Sequence, residues 1–263
     1  MMRGPSILTV NPGIMACLDG LKSFYADIDP DALFVEAAPG GPGSPRAETA
    51  RFVFDGVARI MTENLDDGAR RLERLIAIGR DAAFSPDALL ARLLESPALP
   101  DPPPEALEGA QDGSIFVFFA IYFARPFLKR RALLRGGDGA GGGFCPGCAS
   151  PPSLAFIVKE PEGGRILWCH RCDSRWTFPR MACPLCGARE QGTIGAITIE
   201  GEGLWSLSTC DACRGYLKTY DERPAPSGLE ADEDKLLWSS VLLDVVAQRE
   251  GYKERSGSIR PAV

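Results

Sequence analysis

Eight of the nine cysteines in this 263-residue chain form four Cys-x-x-Cys pairs, all within its second half. The pairs are Cys145/Cys148, Cys169/Cys172, Cys183/Cys186 and Cys210/Cys213. Two thiolates three positions apart in a tight turn reach the same metal ion, and two such turns complete a tetrahedral four-sulfur site. A single pair would also fit a redox-active dithiol. Four pairs predict two metal ions, each held by four thiolates.

The order in which the pairs combine has two solutions. In the sequential arrangement the first two pairs share one ion and the last two share the other. In a cross-brace, the first pair would combine with the third and the second with the fourth. Short hairpins bring their own ends together at small entropic cost, so the spacing favours the sequential arrangement.

The donor set limits the chemistry of these sites. A tetrahedron of four sulfurs suits zinc and iron equally, and the spacing alone favours zinc as the commoner structural metal. No open ligand position is evident, so Lewis-acid catalysis is not expected. His170 is the single histidine in the chain, which argues against a Ser-His-Asp hydrolase. It lies between two ligands and is predicted to be an exposed turn residue. We therefore do not predict an enzyme.

Two β-hairpins are predicted to position the cysteine pairs. The first joins residues 154–158 to 165–168 between the first two pairs, and the second joins residues 193–199 to 204–207 between the last two. Each Cys-x-x-Cys turn, called a knuckle below, therefore lies at the end of a hairpin. The same unit of knuckle, hairpin and knuckle occurs twice.

The remainder of the chain is predicted to be helical. Apolar periodicity predicts helices around residues 17–25, 47–64, 72–78, 85–94 and 114–134, and a last one over about 231–250. Cys17, the ninth cysteine, falls on an apolar helix face and is predicted to be a core residue. Six glycines between residues 136 and 143 indicate a flexible linker.

These elements predict an α+β fold with five segments. Residues 1–135 form a helical domain, 136–143 a linker, 144–181 and 182–222 two metal modules of knuckle, hairpin and knuckle, and 223–263 a C-terminal helix and tail.

The charge argues against a nucleic-acid partner. The whole chain carries a net charge of −6. Between residues 144 and 219, eight Lys/Arg nearly balance seven Asp/Glu, and each tetrathiolate with a divalent ion adds about −2. With its metal ions bound, this region is therefore negatively charged, and a negatively charged surface binds nucleic acids poorly. Arg165, Arg171, Arg175 and Arg180 are therefore interpreted as compensating the thiolate charge.

No targeting segment is recognised, and the longest apolar run has ten residues, whereas a membrane span needs about 20. We expect a cytoplasmic protein with no membrane partner, where thiols stay reduced and paired cysteines favour metal over disulfides. The oligomeric state is not predicted.

The order of residues around the knuckles resembles the formate dehydrogenase accessory protein family, FdhE. The segments that carry this resemblance are Gly164–Trp176, Arg180–Gly187, Cys210–Lys218 with Asp221, and Gly251-Tyr252. They lie between residue 144 and about residue 253, whereas the first 135 residues fit the family only loosely. The family usually has Gly where this chain has Ala149, and His where it has Thr177. Neither position is a cysteine.

The resemblance implies a fold and a role that spacing alone does not. It implies a helical N-terminal domain followed by two rubredoxin-like modules that bind iron rather than zinc, through the eight paired cysteines. It also implies a non-catalytic protein that contacts the catalytic subunit of formate dehydrogenase in the cytoplasm. Two alternatives remain from the residues themselves, a rubredoxin-like electron carrier and a zinc-ribbon module that binds nucleic acid or protein.

Overall fold

The computed structural model describes residues 11–35, 43–65, 85–97, 110–135, 142–160, 163–199, 203–225 and 232–254. These residues divide into two compact units, a helical unit before residue 136 and a sheet unit after residue 141. The stretch 136–143, expected to be a linker, lies mostly outside the described residues, as does the helix expected over 72–78. No helix among the described residues has the length and apolar character needed to cross a membrane.

Among its described residues, the helical unit has four α-helices at positions that periodicity predicts. They are α1 (Pro12–Ala26), α2 (Ala47–Asn64), α3 (Pro86–Glu95) and α4 (Ala110–Leu134). Asn11 and Ser85 cap α1 and α3, since each side chain accepts a hydrogen bond from a first-turn amide, and a proline follows each cap.

Helix α4 supplies more of the buried apolar residues described in this unit than any other helix, as its nearly uniform apolar sequence predicts. Phe119 and Phe123 lie edge-on to Phe54 of α2, with ring centroids 4.9 and 5.3 Å apart. Cys17 is fully buried, and burial raises the pKa of its thiol to about 12. It is therefore an inert core thiol, as predicted, and belongs to neither group of clustered cysteines.

The sheet unit is built around one six-stranded sheet in the order β3-β2-β1-β6-β5-β4. Its strands are β1 (Leu154–Ile157), β2 (Arg165–Cys169), β3 (Ser174–Thr177), β4 (Ile194–Thr198), β5 (Trp205–Cys210) and β6 (Gly215–Asp221). Both predicted hairpins are present, as β1–β2 and β4–β5. Each module also has a third strand, β3 or β6, that leaves its second knuckle and was not predicted.

The two modules are joined edge to edge rather than strung along the chain. Strand β1 of the first pairs in parallel with β6 of the second, with Phe156 opposite Tyr220. Both modules and the C-terminal helices contribute to one buried cluster, whose fully enclosed members include Trp168, Leu207 and Leu243. An isolated hairpin is marginal in water, and here neither hairpin is isolated.

The predicted C-terminal helix over residues 231–250 is wrong in one respect, because it consists of two helices, α5 (Glu233–Ser239) and α6 (Val241–Arg249). The break falls at Ser240, whose fully buried hydroxyl donates to the Leu237 carbonyl oxygen. Hydroxyl groups that bond to nearby backbone compete with helical hydrogen bonding. Gly251, which follows the C-cap residue Glu250 of α6, has a φ of 80°, as expected of glycine just past the end of a helix.

A buried ion pair anchors α6 to the sheet. Lys218 Nζ of β6 lies 3.1 Å from Asp244 Oδ2, and the Tyr216 hydroxyl donates to Asp244 Oδ1 at 2.8 Å. Both charged side chains are largely shielded from solvent. A buried charge is tolerated only when paired, so α6 and β6 depend on each other.

Candidate metal centres

The first centre is formed by the cysteines of the first two knuckles, Cys145, Cys148, Cys169 and Cys172. The Sγ atoms of Cys145 and Cys172 are 3.3 Å apart, and those of Cys148 and Cys169 are 3.5 Å apart. The first knuckle precedes β1, and the second connects β2 to β3.

The second centre repeats this arrangement with Cys183, Cys186, Cys210 and Cys213. Its Sγ separations are 3.8 Å between Cys183 and Cys213 and 3.7 Å between Cys186 and Cys210. The third knuckle precedes β4, and the fourth connects β5 to β6. The structure therefore groups the cysteines sequentially and not as a cross-brace.

Both clusters have the dimensions of a tetrathiolate site. A metal–sulfur bond of about 2.3 Å places tetrahedral sulfurs about 3.8 Å apart, and within each group all four Sγ atoms lie within 4.8 Å of one another. The donor set and spacing thus fit one tetrahedral ion per cluster. Zinc and iron satisfy this geometry equally.

The backbone of the first and third knuckles is almost identical. Cys145 N donates to the Ser150 carbonyl and Ala149 N to that of Cys145, each at 2.8 Å. Cys183 and Gly187 make the matching bonds at 2.9 Å. An amide also points at sulfur, since Leu185 N lies 3.4 Å from Cys183 Sγ. Such amide donors stabilise a negatively charged thiolate.

The residue after each knuckle has a left-handed backbone. Its φ is 57° at Ala149, 59° at Asp173, 79° at Gly187 and 55° at Arg214. Only glycine adopts this region without steric cost, and an L-residue there loses about 1–2 kcal/mol. The FdhE resemblance expects glycine at position 149, and the geometry supplies the reason.

Ala149→Gly is therefore expected to stabilise the sheet unit by about 1 kcal/mol, because it relieves strain at an exposed position. The reverse change, Gly187→Ala, is the matched control, since a Cβ there meets no atom within 4 Å. It should destabilise by a similar amount. Urea unfolding of the metal-loaded protein measures the free energy of unfolding of both variants. If both variants were more stable, or both less stable, than wild type, the left-handed backbone would not explain the effect.

The thiols within the first centre do not share the same tendency to ionise. Hydrogen bonds from Cys145 and Cys169 hold the pKa of Cys148 far below its ordinary value. Hydrogen bonds involving Cys145 and Cys148, reinforced by complete burial, hold the pKa of Cys169 far above it. In the second centre, burial raises the pKa of Cys183 to about 12. A cation that binds four thiolates must therefore displace protons as it enters.

The two centres differ in exposure. In the first, Cys145, Cys169 and Cys172 are buried and Cys148 is half-buried, whereas in the second Cys186 is exposed and Cys213 half-buried. The second centre therefore has one sulfur directly at the surface.

His170 was predicted to be exposed, and this prediction is wrong. Only 1% of its surface is accessible. Its amide donates to Ser153 Oγ at 3.2 Å, and its Nδ1 lies 3.1 Å from the same oxygen. Its neighbour Arg171 is equally buried and donates to Ser150 Oγ at 2.9 Å. The middle of the second knuckle thus faces inward, against the segment that follows the first.

The arginines near the second knuckle have different partners. Arg175 forms an ion pair with Glu233 of α5, and Arg180 is exposed. Arg165 and Arg171 are buried. Burial lowers the pKa of Arg165 to about 10, so its guanidinium stays charged at neutral pH. Of the four, Arg165 has an electrostatic interaction with a cysteine of the two clusters, namely Cys183, which supports the interpretation as charge compensation at that position.

Known proteins resemble this chain over part of its length in sequence and over most of its length in fold. No family model matches. The chain is 32% identical over 111 residues to "Protein FdhE homolog" of Aquifex aeolicus, which is 41% of this chain and 38% of that protein. It is 30% identical over 110 residues to the protein of the same name from Shewanella baltica, 41% of this chain and 35% of that protein. The resemblance to the FdhE family is confirmed.

The match to these curated FdhE relatives spans well under half of their length. The similarity in fold extends further. The crystal structure of the FdhE protein from Pseudomonas aeruginosa superposes with a TM-score of 0.61, covering 91% of this chain and 84% of that one, at 18% identity. The helical N-terminal part, the sheet and the C-terminal helices thus follow the FdhE fold.

Proposed function

We propose that this chain is an accessory factor for the maturation of a formate dehydrogenase. In this proposal it binds the catalytic subunit in the cytoplasm, carries two rubredoxin-type iron sites through its eight paired cysteines, and catalyses no reaction itself. The helical domain over residues 1–135, the linker over 136–143 and the two modules over 144–181 and 182–222 are its proposed functional parts.

The observation that carries this proposal is the pair of four-cysteine clusters within an FdhE-like fold. Each cluster has the donors and spacing for one tetrahedral ion, with no further described Cys, His, Asp or Glu grouped with it. Four protein ligands fill a tetrahedron and leave no position for substrate. The metal would therefore either stabilise the fold of a binding surface or transfer electrons. The wider similarity to FdhE proteins supports an assembly role.

Purification without oxygen tests both parts of the proposal. The full chain, produced in a host that makes a formate dehydrogenase, should contain two iron atoms by elemental analysis. It should also retain the enzyme's catalytic subunit on an affinity resin. Deletion of its gene should abolish formate dehydrogenase activity, and a copy of the intact gene should restore it.

Two outcomes would reject separate parts of the proposal. Stoichiometric zinc under strictly anaerobic conditions would overturn the iron assignment while leaving the accessory role standing. Unchanged formate dehydrogenase activity after deletion would overturn the accessory role, whatever the metal.

A rubredoxin-like electron carrier is the second candidate, and the surface exposure of Cys186 favours it. An exposed ligand sulfur gives a partner close approach to the ion. Reversible one-electron reduction, followed by rapid transfer to an oxidoreductase, would support this role. The absence of such transfer from an iron-loaded protein would exclude it.

A further inference from the structure

Arg165 belongs to the first module by sequence but lies against the second centre. It is the first residue of β2, and its Nη1 donates to the carbonyl of Ala182 at 3.2 Å. Ala182 directly precedes Cys183. The Arg165 side chain also stacks on Phe178, with its Cζ 5.9 Å from the ring centroid. These contacts fix the guanidinium between the two modules.

The guanidinium is buried without a complete set of partners. Arg165 is 5% exposed, and its Nε and Nη2 make no hydrogen bond to any described residue. It lines a small cavity together with Cys183, Cys210 and Thr209 of the second module. An uncompensated buried charge is strongly destabilising. No carboxylate forms a salt bridge with Arg165 among the described residues, so its charge needs another source of compensation.

The second centre supplies that charge when it is loaded. Four thiolates around a divalent ion carry a net charge of about −2, spread over the sulfurs. We propose that Arg165 is the cross-module positioning residue of the second metal centre, compensating its thiolate charge and favouring the metal-bound form. The inference rests on the metal-binding part of the proposed function. It does not depend on the client enzyme.

The same contact couples the two modules. Arg165 is held in place by the first module, since it lies in β2 and its carbonyl accepts a hydrogen bond from the amide of Phe178, the residue after β3, at 3.0 Å. A charge that serves the second centre thus depends on the fold of the first. Partners of this kind outside the ligand set typically change metal affinity by roughly 10–100-fold.

Zinc affinity measured on the full chain tests this assignment. Apo-protein is titrated with Zn²⁺ against a chromophoric chelator, for wild type, Arg165→Gln and Arg165→Lys. Arg165→Gln retains a hydrogen-bond donor without the charge, and Arg165→Lys retains the charge. The exposed Arg180→Gln is the matched control, since it removes the same formal charge in a solvated position.

We expect one of the two ions to bind roughly 10–100-fold more weakly in Arg165→Gln, with Arg165→Lys and Arg180→Gln close to wild type. Alkylation and peptide mass spectrometry should then find Cys183, Cys186, Cys210 and Cys213 reactive first. Equal affinities in the Gln and Lys variants would overturn the role of charge. Early reactivity of Cys145 and Cys148 would place the effect at the wrong centre. Failure of wild type to take up zinc would overturn both this inference and the proposed metal binding.

Discussion

Cys145→Ala combined with Cys148→Ala is expected to remove one metal ion and unfold the first module. The two residues supply half of the sulfurs at the first centre, and the remaining thiolates cannot close a tetrahedron. A structural zinc contributes on the order of 10–16 kcal/mol in small peptides, whereas a whole domain is stable by about 5–15 kcal/mol. The module is therefore not expected to survive the loss.

Metal content and hydrogen exchange measure this result. Native mass spectrometry should show one bound ion in place of two, and backbone amides of Leu154–Ile157 and Arg165–Cys169 should exchange faster. Because β1 also pairs with β6, amides at that junction should lose protection too. Cys17→Ala is the matched control and should retain both ions. Two ions in the double variant would show that the ligand assignment is wrong.

Trp168→Ala is expected to destabilise the entire sheet unit by about 3–5 kcal/mol, the range for truncating a buried Trp. Trp168 is fully buried within the cluster shared by both modules and the C-terminal helices. Its Nε1 also donates to Asp173 Oδ1 at 2.9 Å, beside the second knuckle. A change in the first module should therefore lower the stability of the second as well.

The matched control is Trp176→Ala, in the same module but on the edge strand β3. Trp176 is also buried, but it is outside the shared cluster and donates to the Gly142 carbonyl at 3.0 Å. Its loss should mainly affect the first module. Urea unfolding at fixed metal concentration gives the loss of stability in each variant. Hydrogen exchange of the amides in β5 and β6 then shows whether the second module is also destabilised, as expected for Trp168→Ala but not for Trp176→Ala. Equal protection of β5 in the two variants would contradict a common core.

The structure indicates that metal binding at one centre affects metal binding at the other. A tandem of separate modules would load its two ions independently. Here β1 and β6 pair in the middle of one sheet, and Arg165 reaches from the first module to the second centre. Loading of either ion is therefore expected to influence the other. The surface sulfur of Cys186 makes the second centre the more accessible to exchange.

Local spacing in the sequence was enough to predict several features. Hairpins form between residues about ten apart, and knuckles between residues three apart, so their signals lie in short windows. The sequential grouping of the cysteines follows from the same short loops. The positions of the described helices are equally local, since they depend on the periodicity of apolar residues.

Tertiary contacts decided the features that the sequence concealed. Strand β6 carries Lys218, a residue that is rarely buried without a partner, and the ion pair with Asp244 of α6 makes its burial tolerable. The pairing of β1 with β6 joins residues more than 60 positions apart, beyond any local pattern. His170 and Arg165 are buried, and their hydrogen-bond partners Ser153 and Ala182 lie outside their own knuckle and strand. The sequence by itself predicted four knuckles and favoured their sequential grouping, because the spacing is short, and the structure decided that grouping against the cross-brace. The packing of the two modules determined how their centres share one core, because that depends on contacts between distant residues.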